Sequence, residues 1–264
     1  MKPRSPRFGQ EGGELSYGSY LRVPELLELQ TLLSTPPAHD ELLFIIVHQA
    51  YELWFREVLF ELETVRTLLI EGETHRPRHL LGRVHSIERV LIEQIAVIET
   101  MTPQDFLAFR SNLAPASGFQ SVQFREIEFL SGLKEPGLLA HLAVTPAERD
   151  RLQSRLAEPT IWDAFCALLD ANGLPMPPDD EPARRESLLT MMRDPTKFAE
   201  LFATSESLLT HDELFALWRR HHVLMVERQI GSKTGTGGSA GATYLRTTLD
   251  KRFYPELWDL RSYL

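Results

Sequence analysis

DELLFIIVHQAYELWFREVLFELETVRTLL, residues 40–69, decides the fold, because its apolar residues recur at helical spacing while Glu and Arg stand between them. A second stretch with the same period, residues 78–101, reads RHLLGRVHSIERVLIEQIAVIETM. The polar HRP sequence that precedes it is typical of a turn. The two stretches therefore predict a pair of long antiparallel helices.

Shorter helices are predicted along the rest of the chain. One opens at Thr102 with a proline at its first position and is ended by APASG, residues 114–118. FQSVQFREIEFLSGL, residues 119–133, resumes with charged residues spaced for one solvent-facing side. Thr145 starts another helix. NGLPMPPDDEP, residues 172–182, is the strongest linker signal of the chain.

A capped helix is predicted over residues 211–230. Thr210 and Glu213 have the spacing of a capping box, and Gly231 stands where a C-terminal cap belongs. No alternating strand pattern and no internal repeat is evident. We therefore predict an all-α protein, a single domain over residues 1–264, whose long helices form a bundle with any ligand site in its interior.

Composition bounds the function. The 264 residues, 43% of them hydrophobic, suffice for one large core. A formal charge of −9 without any run of Lys or Arg argues against nucleic acid. The longest apolar run, residues 42–47, is too short to cross a bilayer, and the polar N-terminus lacks the apolar part of a signal peptide, so we expect a cytoplasmic protein. The single cysteine, Cys166, is expected to be a helical thiol without a catalytic role.

The capped helix carries two adjacent histidines, His221 and His222, and runs into a glycine-rich loop. At helical spacing His222 falls on an apolar face, and His221 shares its side with Leu217 and Leu224. Spacing alone therefore does not distinguish a metal ligand from a core histidine. KTGTGGSAG, residues 233–241, has neither a P-loop lysine nor the third glycine of a dinucleotide fingerprint. Its glycines suit either an anion cradle or a linker.

His48 and Arg110 are the other candidates. His48 lies on the very apolar first long helix, where it is a core histidine, a site residue, or half of a metal pair with Glu52. Arg110 lies among aromatic residues, where its guanidinium suits a carboxylate, although a surface salt bridge is the ordinary alternative. Together with the histidine helix and the loop, these residues suit a small zwitterion beside a metal cofactor.

Four blocks of the chain closely resemble the tryptophan 2,3-dioxygenase family. They are LSYGSYLRVPELLELQ, HDELLFIIVHQAYELWFREVLFELETV, ETMTPQDFLAFRSNLAPASGFQSVQFREIEFLSG, and HHVLMVERQIGSKTGTGGSAGATYLRTTL followed by FYPELWDLR. The match spans nearly the whole chain; only residues 135–205 match weakly, and we expect a small helical insert at about that position. The fold that the resemblance implies is a helical bundle enclosing a haem pocket.

The resemblance also implies site residues. His222, not His221, matches the axial ligand of the haem iron. His48 matches the histidine facing the indole N–H, as a base or, as we favour, as an orienting group. Arg110 and Thr236 match residues that bind the carboxylate and ammonium of the substrate. The remaining matches are pocket-wall positions (Phe44, Phe106, Leu113), positions near haem (Ser117, Gly118) and an N-terminal segment that reaches the neighbouring subunit's site (Tyr17, Tyr20, Leu21).

The activity implied by the resemblance is insertion of both atoms of dioxygen across the indole 2,3 double bond of L-tryptophan, giving N-formyl-L-kynurenine, the first step of the kynurenine pathway. The implied cofactor is haem b with ferrous iron, with dioxygen as co-substrate, and the implied assembly is a homotetramer. Two alternatives stay open: a haem oxygenase acting on another indole, and a haem sensor without turnover. A sensor would not need the amino-acid clamp of Arg110 and Thr236.

Overall fold

The computed structural model describes residues 15–142, 144–238 and 240–264, and all regular structure within these ranges is helical. The all-α prediction is confirmed. The start of the predicted domain, residues 1–14, and residue 239 of the glycine-rich loop lie outside the described residues. The α-helices are α1 Tyr17–Leu21, α2 Val23–Leu26, α3 Glu41–Ile70, α4 His75–Ile98, α5 Pro103–Leu113, α6 Val122–Ser131, α7 Pro146–Ala157, α8 Ile161–Ala171, α9 Glu181–Arg193, α10 Ala199–Ile230, α11 Ala242–Arg246 and α12 Pro255–Asp259. Short 3₁₀ turns cover Gly118–Gln120, Pro136–Ala140 and Leu260–Tyr263.

The two long helices predicted first are present as α3 and α4. Residues 71–74 alone connect them, so the helices run antiparallel and pack along their length. Leu62 and Leu69 of α3 and Leu81 and Val84 of α4 are fully buried in the core between them. The third long helix, α10, packs on the other side of α4.

The predicted start of the capped helix is wrong. Instead of spanning residues 211–230, α10 begins at Ala199. Thr210, predicted as the N-cap, lies inside the helix, and its hydroxyl donates to a backbone carbonyl one turn earlier at 2.9 Å. The helix continues upstream because buried residues such as Leu208 extend its apolar stripe. Gly231 ends it as predicted, with φ of +59°.

The solvent-facing side predicted for residues 119–133 is also wrong. In α6, Arg125, Glu126 and Glu128 are all buried. Glu128 accepts hydrogen bonds from Arg125 at 2.7 Å and from Arg219 of α10 at 2.8 Å, and Glu126 pairs with Arg151 of α7. The charges are buried because each meets an opposite charge: Arg125 within α6, and Glu126 and Glu128 also on neighbouring helices.

The region expected to be an insert contributes to the main core. Ile161 and Phe165 of α8 pack against α3 in the same cluster as the residues of α4 and α10. The expected boundary at about residue 205 falls within α10. Within the described part of the chain, none of the helices combines the length and apolar character that crossing a bilayer would take.

Candidate active site

A large cavity lies between α3, α6 and α10, and the loop after α10 forms part of its wall. It has an accessible volume of about 250 Å³ and opens to solvent at its mouth. Its walls carry apolar side chains of these helices, namely Phe55, Phe124 and Val226, and Ile95 of α4. Most of the residues that sequence reasoning selected lie on this cavity or next to it.

His222 faces the cavity from α10. Desolvation by the surrounding protein, together with the charge that His48 carries when protonated, lowers the pKa of its imidazole to about 4. The ring is therefore neutral at physiological pH, with a lone pair for a metal. Its neighbour His221 is exposed on the outer side of the helix. Helix geometry thus separates the two histidines, which sequence spacing could not do.

His48 faces the same cavity from α3. Its Nδ1 lies 2.7 Å from the backbone carbonyl of Phe44, so Nδ1 carries the proton and donates it, and Nε2 keeps its lone pair. Its ring lies 4.1 Å from that of Phe44, centroid to centroid. Protein surrounds the ring on the sides of the cavity, and the resulting desolvation lowers the pKa of His48. His48 is a neutral hydrogen-bond acceptor.

The metal pair of His48 with Glu52 gains no support from the geometry. The Glu52 carboxylate accepts hydrogen bonds from the Ser121 hydroxyl at 2.6 Å and the Gln123 amide at 2.9 Å. Among the described residues, no group of three His, Cys, Asp or Glu side chains is placed to hold a metal ion. Glu52 instead fixes the N-terminus of α6 against α3.

A basic group lines one end of the cavity, and sequence reasoning missed it. Arg125 and Arg219 both pair with the single carboxylate of Glu128, which leaves an excess of positive charge. The Arg125 Nε is buried and has no hydrogen-bond partner among the described residues. The sequence held one signal: Arg219 precedes His222 by three residues and so lies near the same face of α10.

The glycine-rich loop covers the cavity and is anchored at two points. The Thr236 hydroxyl donates to the backbone carbonyl of Ala116 at 2.6 Å, and an Nη of Arg110 donates to the carbonyl of Thr234. Gly237 packs directly on Ser117: a Cβ added to this glycine would lie 2.6 Å from the Ser117 Cβ. A side chain there would keep the loop from this position.

Arg110 joins the loop to the aromatic wall. Its Nε is buried without a hydrogen-bond partner in the described ranges, although its Nη is engaged. Phe106, one turn earlier on α5, stacks on Phe44 with centroids 5.7 Å apart, and Leu113 packs in the same apolar cluster. The Arg110 Nε is thus an unused donor next to the aromatic residues that contact His48.

The structure groups the residues selected from sequence in three ways. The residues that line the cavity are His48, Ser117, Gly118, His222 and Thr236. The residues that border it, through His48 or through the loop, are Phe44, Phe106, Arg110 and Leu113. The residues exposed away from it are Tyr17, Tyr20 and Leu21, on α1. Cys166 lies outside the site, and burial raises the pKa of its thiol to about 12.

The fold and the cavity define a class: an α-helical cofactor enzyme in which a neutral histidine faces a large apolar cavity beneath a glycine-rich loop. A family model described as tryptophan 2,3-dioxygenase matches residues 4–140 and 182–264. The chain belongs to the tryptophan 2,3-dioxygenase family, a family of haem-dependent oxidoreductases that use dioxygen. The unmatched residues between the two ranges include all of α7 and α8.

Individual relatives agree along nearly the whole chain. The chain is 57% identical to a tryptophan 2,3-dioxygenase of Nocardioides sp., over 97% of each chain. It is 46% identical to the enzyme of the same name from Herpetosiphon aurantiacus, over 94% of this chain and 98% of that one. It is 40% identical to that of Serratia proteamaculans, over 94% and 92%.

Proposed function

We propose that this chain oxidises L-tryptophan to N-formyl-L-kynurenine, adding both atoms of dioxygen across the indole 2,3 double bond. The observation that carries the proposal is that two neutral histidines, His48 and His222, face one cavity beneath a loop held by Arg110. This arrangement offers a metal ligand, a hydrogen-bond acceptor and a carboxylate binder at one site. The reaction would be the first step of tryptophan degradation by the kynurenine pathway.

The residues of the cavity suit haem b. His222 would hold the iron through a neutral imidazole, and the aromatic and aliphatic walls suit a porphyrin. The two carboxylates of haem require cationic partners, and Arg125 with Arg219 supplies them; the unpartnered Arg125 Nε is a donor that a carboxylate would satisfy. Haem bound here in the ferrous state supplies the oxygen chemistry, and the protein supplies position and a dry pocket.

His48 would orient the substrate. With Nδ1–H donated to the Phe44 carbonyl, Nε2 is free to accept the indole N–H of tryptophan. A neutral imidazole at this position fixes which edge of the indole faces the cofactor. His48 would orient the indole through this hydrogen bond without removing the indole proton.

Arg110 and Thr236 would hold the amino-acid end of the substrate. The Arg110 Nε and Nη form the two-pronged donor that a carboxylate accepts. Binding therefore exchanges the Thr234 carbonyl for the substrate carboxylate, and the Thr236 hydroxyl is close enough to the same end to join it. The loop would then be fixed by the substrate.

The assembly we propose is a homotetramer, with α1 reaching a neighbouring site. Tyr17 and Tyr20 are 79% and 71% exposed, and Leu21 is 45% exposed, on α1, which contacts the adjacent short helix α2. Leu53 and Phe60 on α3 are also about 60% exposed. Large apolar side chains in such positions suit burial by further copies of the chain. We place the protein in the cytoplasm, with no nucleic-acid or membrane partner, consistent with its net charge of −9.

Turnover by haem-loaded protein tests the proposal. The protein is reduced without dioxygen, then mixed with L-tryptophan and ¹⁸O₂, and the product is analysed by mass spectrometry. We expect N-formylkynurenine carrying two labelled oxygen atoms, and no product from His222→Ala. Haem binding without product from L-tryptophan or any other indole would support a sensor. Product from tryptamine in preference to tryptophan would show that the carboxylate clamp is assigned wrongly.

A further inference from the structure

The imidazole of His222 lacks the partner that usually fixes a metal-bound histidine. Such a ring commonly donates its second N–H to a carboxylate or a backbone carbonyl, which sets its orientation. Among the described residues, no protein group forms a hydrogen bond with a ring nitrogen of His222. The protein contact that can set the plane of this ring is therefore a packing contact.

That contact is the indole of Trp218, one helical turn earlier on α10. The two rings are almost parallel, with an interplanar angle of 8° and centroids 5.0 Å apart. This is an offset stack, a favourable arrangement for two aromatic rings. Residues four apart on a helix lie one above the other, so the backbone itself presents the indole to the imidazole.

Trp218 is itself held firmly. Its ring packs on Phe124 of α6 at 5.2 Å and on Phe215 of α10 at 6.1 Å, between centroids. Tyr51 of α3 meets it edge-on at 6.1 Å, and the Tyr51 hydroxyl is anchored to the Leu91 carbonyl of α4 at 2.7 Å. Residues of α3, α6 and α10 thus contact the indole, and α4 anchors Tyr51, so the indole can hold the imidazole in place.

We infer that Trp218 is the positioning residue for His222: the stacked indole, rather than a hydrogen bond, sets the orientation of the imidazole toward the iron. The inference rests on the proposed function, since it requires His222 as the axial ligand. Without a carboxylate to draw off its second proton, the ring donates to iron as neutral imidazole.

The test uses ferrous, dioxygen-free holoprotein and two measurements. Resonance Raman records the iron–histidine stretching band, and transfer of haem to apomyoglobin gives the rate of haem loss. Trp218→Leu removes the aromatic face and keeps an apolar side chain, and Trp218→Phe keeps a smaller aromatic face. Trp162→Leu is the matched control, because Trp162 packs on Phe165 and Tyr254 in the core away from the cavity.

We expect Trp218→Leu to shift or broaden the band and to speed haem loss by about tenfold, the lower end of the effect of losing a partner of a metal ligand. Trp218→Phe should keep a single band and lose haem less than about threefold faster. Trp162→Leu should lower the melting temperature and leave the band and the haem-loss rate unchanged. If Trp218→Leu does not fold, Trp218→Met replaces it, because Met fills irregular apolar space without an aromatic face.

The inference is overturned if Trp218→Leu, or its replacement, keeps the band and haem-loss rate of the parent. It is also overturned if Trp162→Leu changes both as much as Trp218→Leu does, because a loosened core would then suffice. His222→Ala separates this failure from failure of the proposed function. If His222→Ala retains the parent's band, the axial assignment itself is wrong; if it loses the band, only the role of Trp218 is in question.

Discussion

The hydroxyl of Thr236 donates a 2.6 Å hydrogen bond to the backbone carbonyl of Ala116, and this bond ties the glycine-rich loop to the turn after α5. The loop is held a second time where Arg110 meets the Thr234 carbonyl. Both residues are also the proposed ligands of the substrate. Closing the loop and binding the amino-acid end of tryptophan therefore use the same two side chains.

Thr236→Val should weaken the binding of tryptophan. The change removes the hydroxyl and keeps the shape of the side chain, so it isolates one hydrogen bond worth about 1 kcal/mol, or about fivefold in KM. Thr234→Val is the matched control, because only its backbone carbonyl contacts Arg110. Steady-state kinetics measure both variants. An unchanged KM in Thr236→Val would place its hydroxyl outside the substrate site.

Gly237→Ala should impair closure of the loop. The added Cβ would lie 2.6 Å from the Ser117 Cβ and 3.5 Å from the Pro115 carbonyl, so the loop must shift. Overpacking of this kind costs about 1–3 kcal/mol, and we expect kcat/KM to fall by about tenfold or more. Adding Ser117→Gly removes the atom that clashes, so the double variant should recover activity relative to Ser117→Gly alone. No recovery would show that the contact with Ser117 does not limit closure.

Arg110→Ala should abolish discrimination between tryptophan and tryptamine, which lacks the carboxylate. A charge-assisted pair is worth about 2 kcal/mol, which corresponds to a rise of about 30-fold in KM for tryptophan. The KM for tryptamine should change little, since the indole contacts remain. Arg78→Ala serves as a control, because that arginine pairs with Glu200 far from the cavity. Equal losses for the two substrates would contradict the clamp.

Activity should be insensitive to pH until the solution is more acidic than the ordinary pKa of histidine. Burial lowers the pKa of His48 below 6.5, so the neutral, accepting form persists as the pH falls through 6.5. Protonation at lower pH puts a proton on Nε2 and removes the acceptor for the indole N–H. The pH profile of kcat/KM for tryptophan should therefore decline only below 6.5. A decline that begins above 6.5 would contradict a neutral, desolvated His48.

The long helices could be predicted from sequence because amphipathic periodicity extends over many turns in α3 and α4. The start of α10 could not, because Thr210 and Glu213 have the spacing of a capping box in the middle of a helix. Local cap signals do not report whether the preceding residues are also buried. The start of α10 depends instead on the burial of residues before Thr210, such as Leu208.

Some residues of the site could be predicted from the sequence and others could not. His48 and His222 stood out because each is polar on an apolar helical face, Arg110 because it lies among aromatic residues, and Thr236 came from the family resemblance. Arg125 was read as one of a row of solvated charges, since a helix with several charged residues usually faces water. Arg125 pairs with Glu128 of its own helix, and Glu128 in turn accepts from Arg219 of α10, which lies 91 residues away in sequence. Only the tertiary structure brings these charges together.

Asp212→Ala should destabilise the protein strongly, because one buried carboxylate oxygen holds the C-terminal segment on α10. It accepts hydrogen bonds from the backbone N–H of Phe253 at 2.9 Å, that of Tyr254 at 3.0 Å and the Trp258 indole N–H at 3.0 Å. Alanine would leave these donors without an acceptor, at a cost of about 3 kcal/mol or more. Urea denaturation measures the free energy of unfolding, with the exposed Asp179→Ala expected within about 0.5 kcal/mol of the parent. A loss below about 1 kcal/mol in Asp212→Ala would mean that water replaces the carboxylate and that the C-terminal segment is held by its apolar contacts instead.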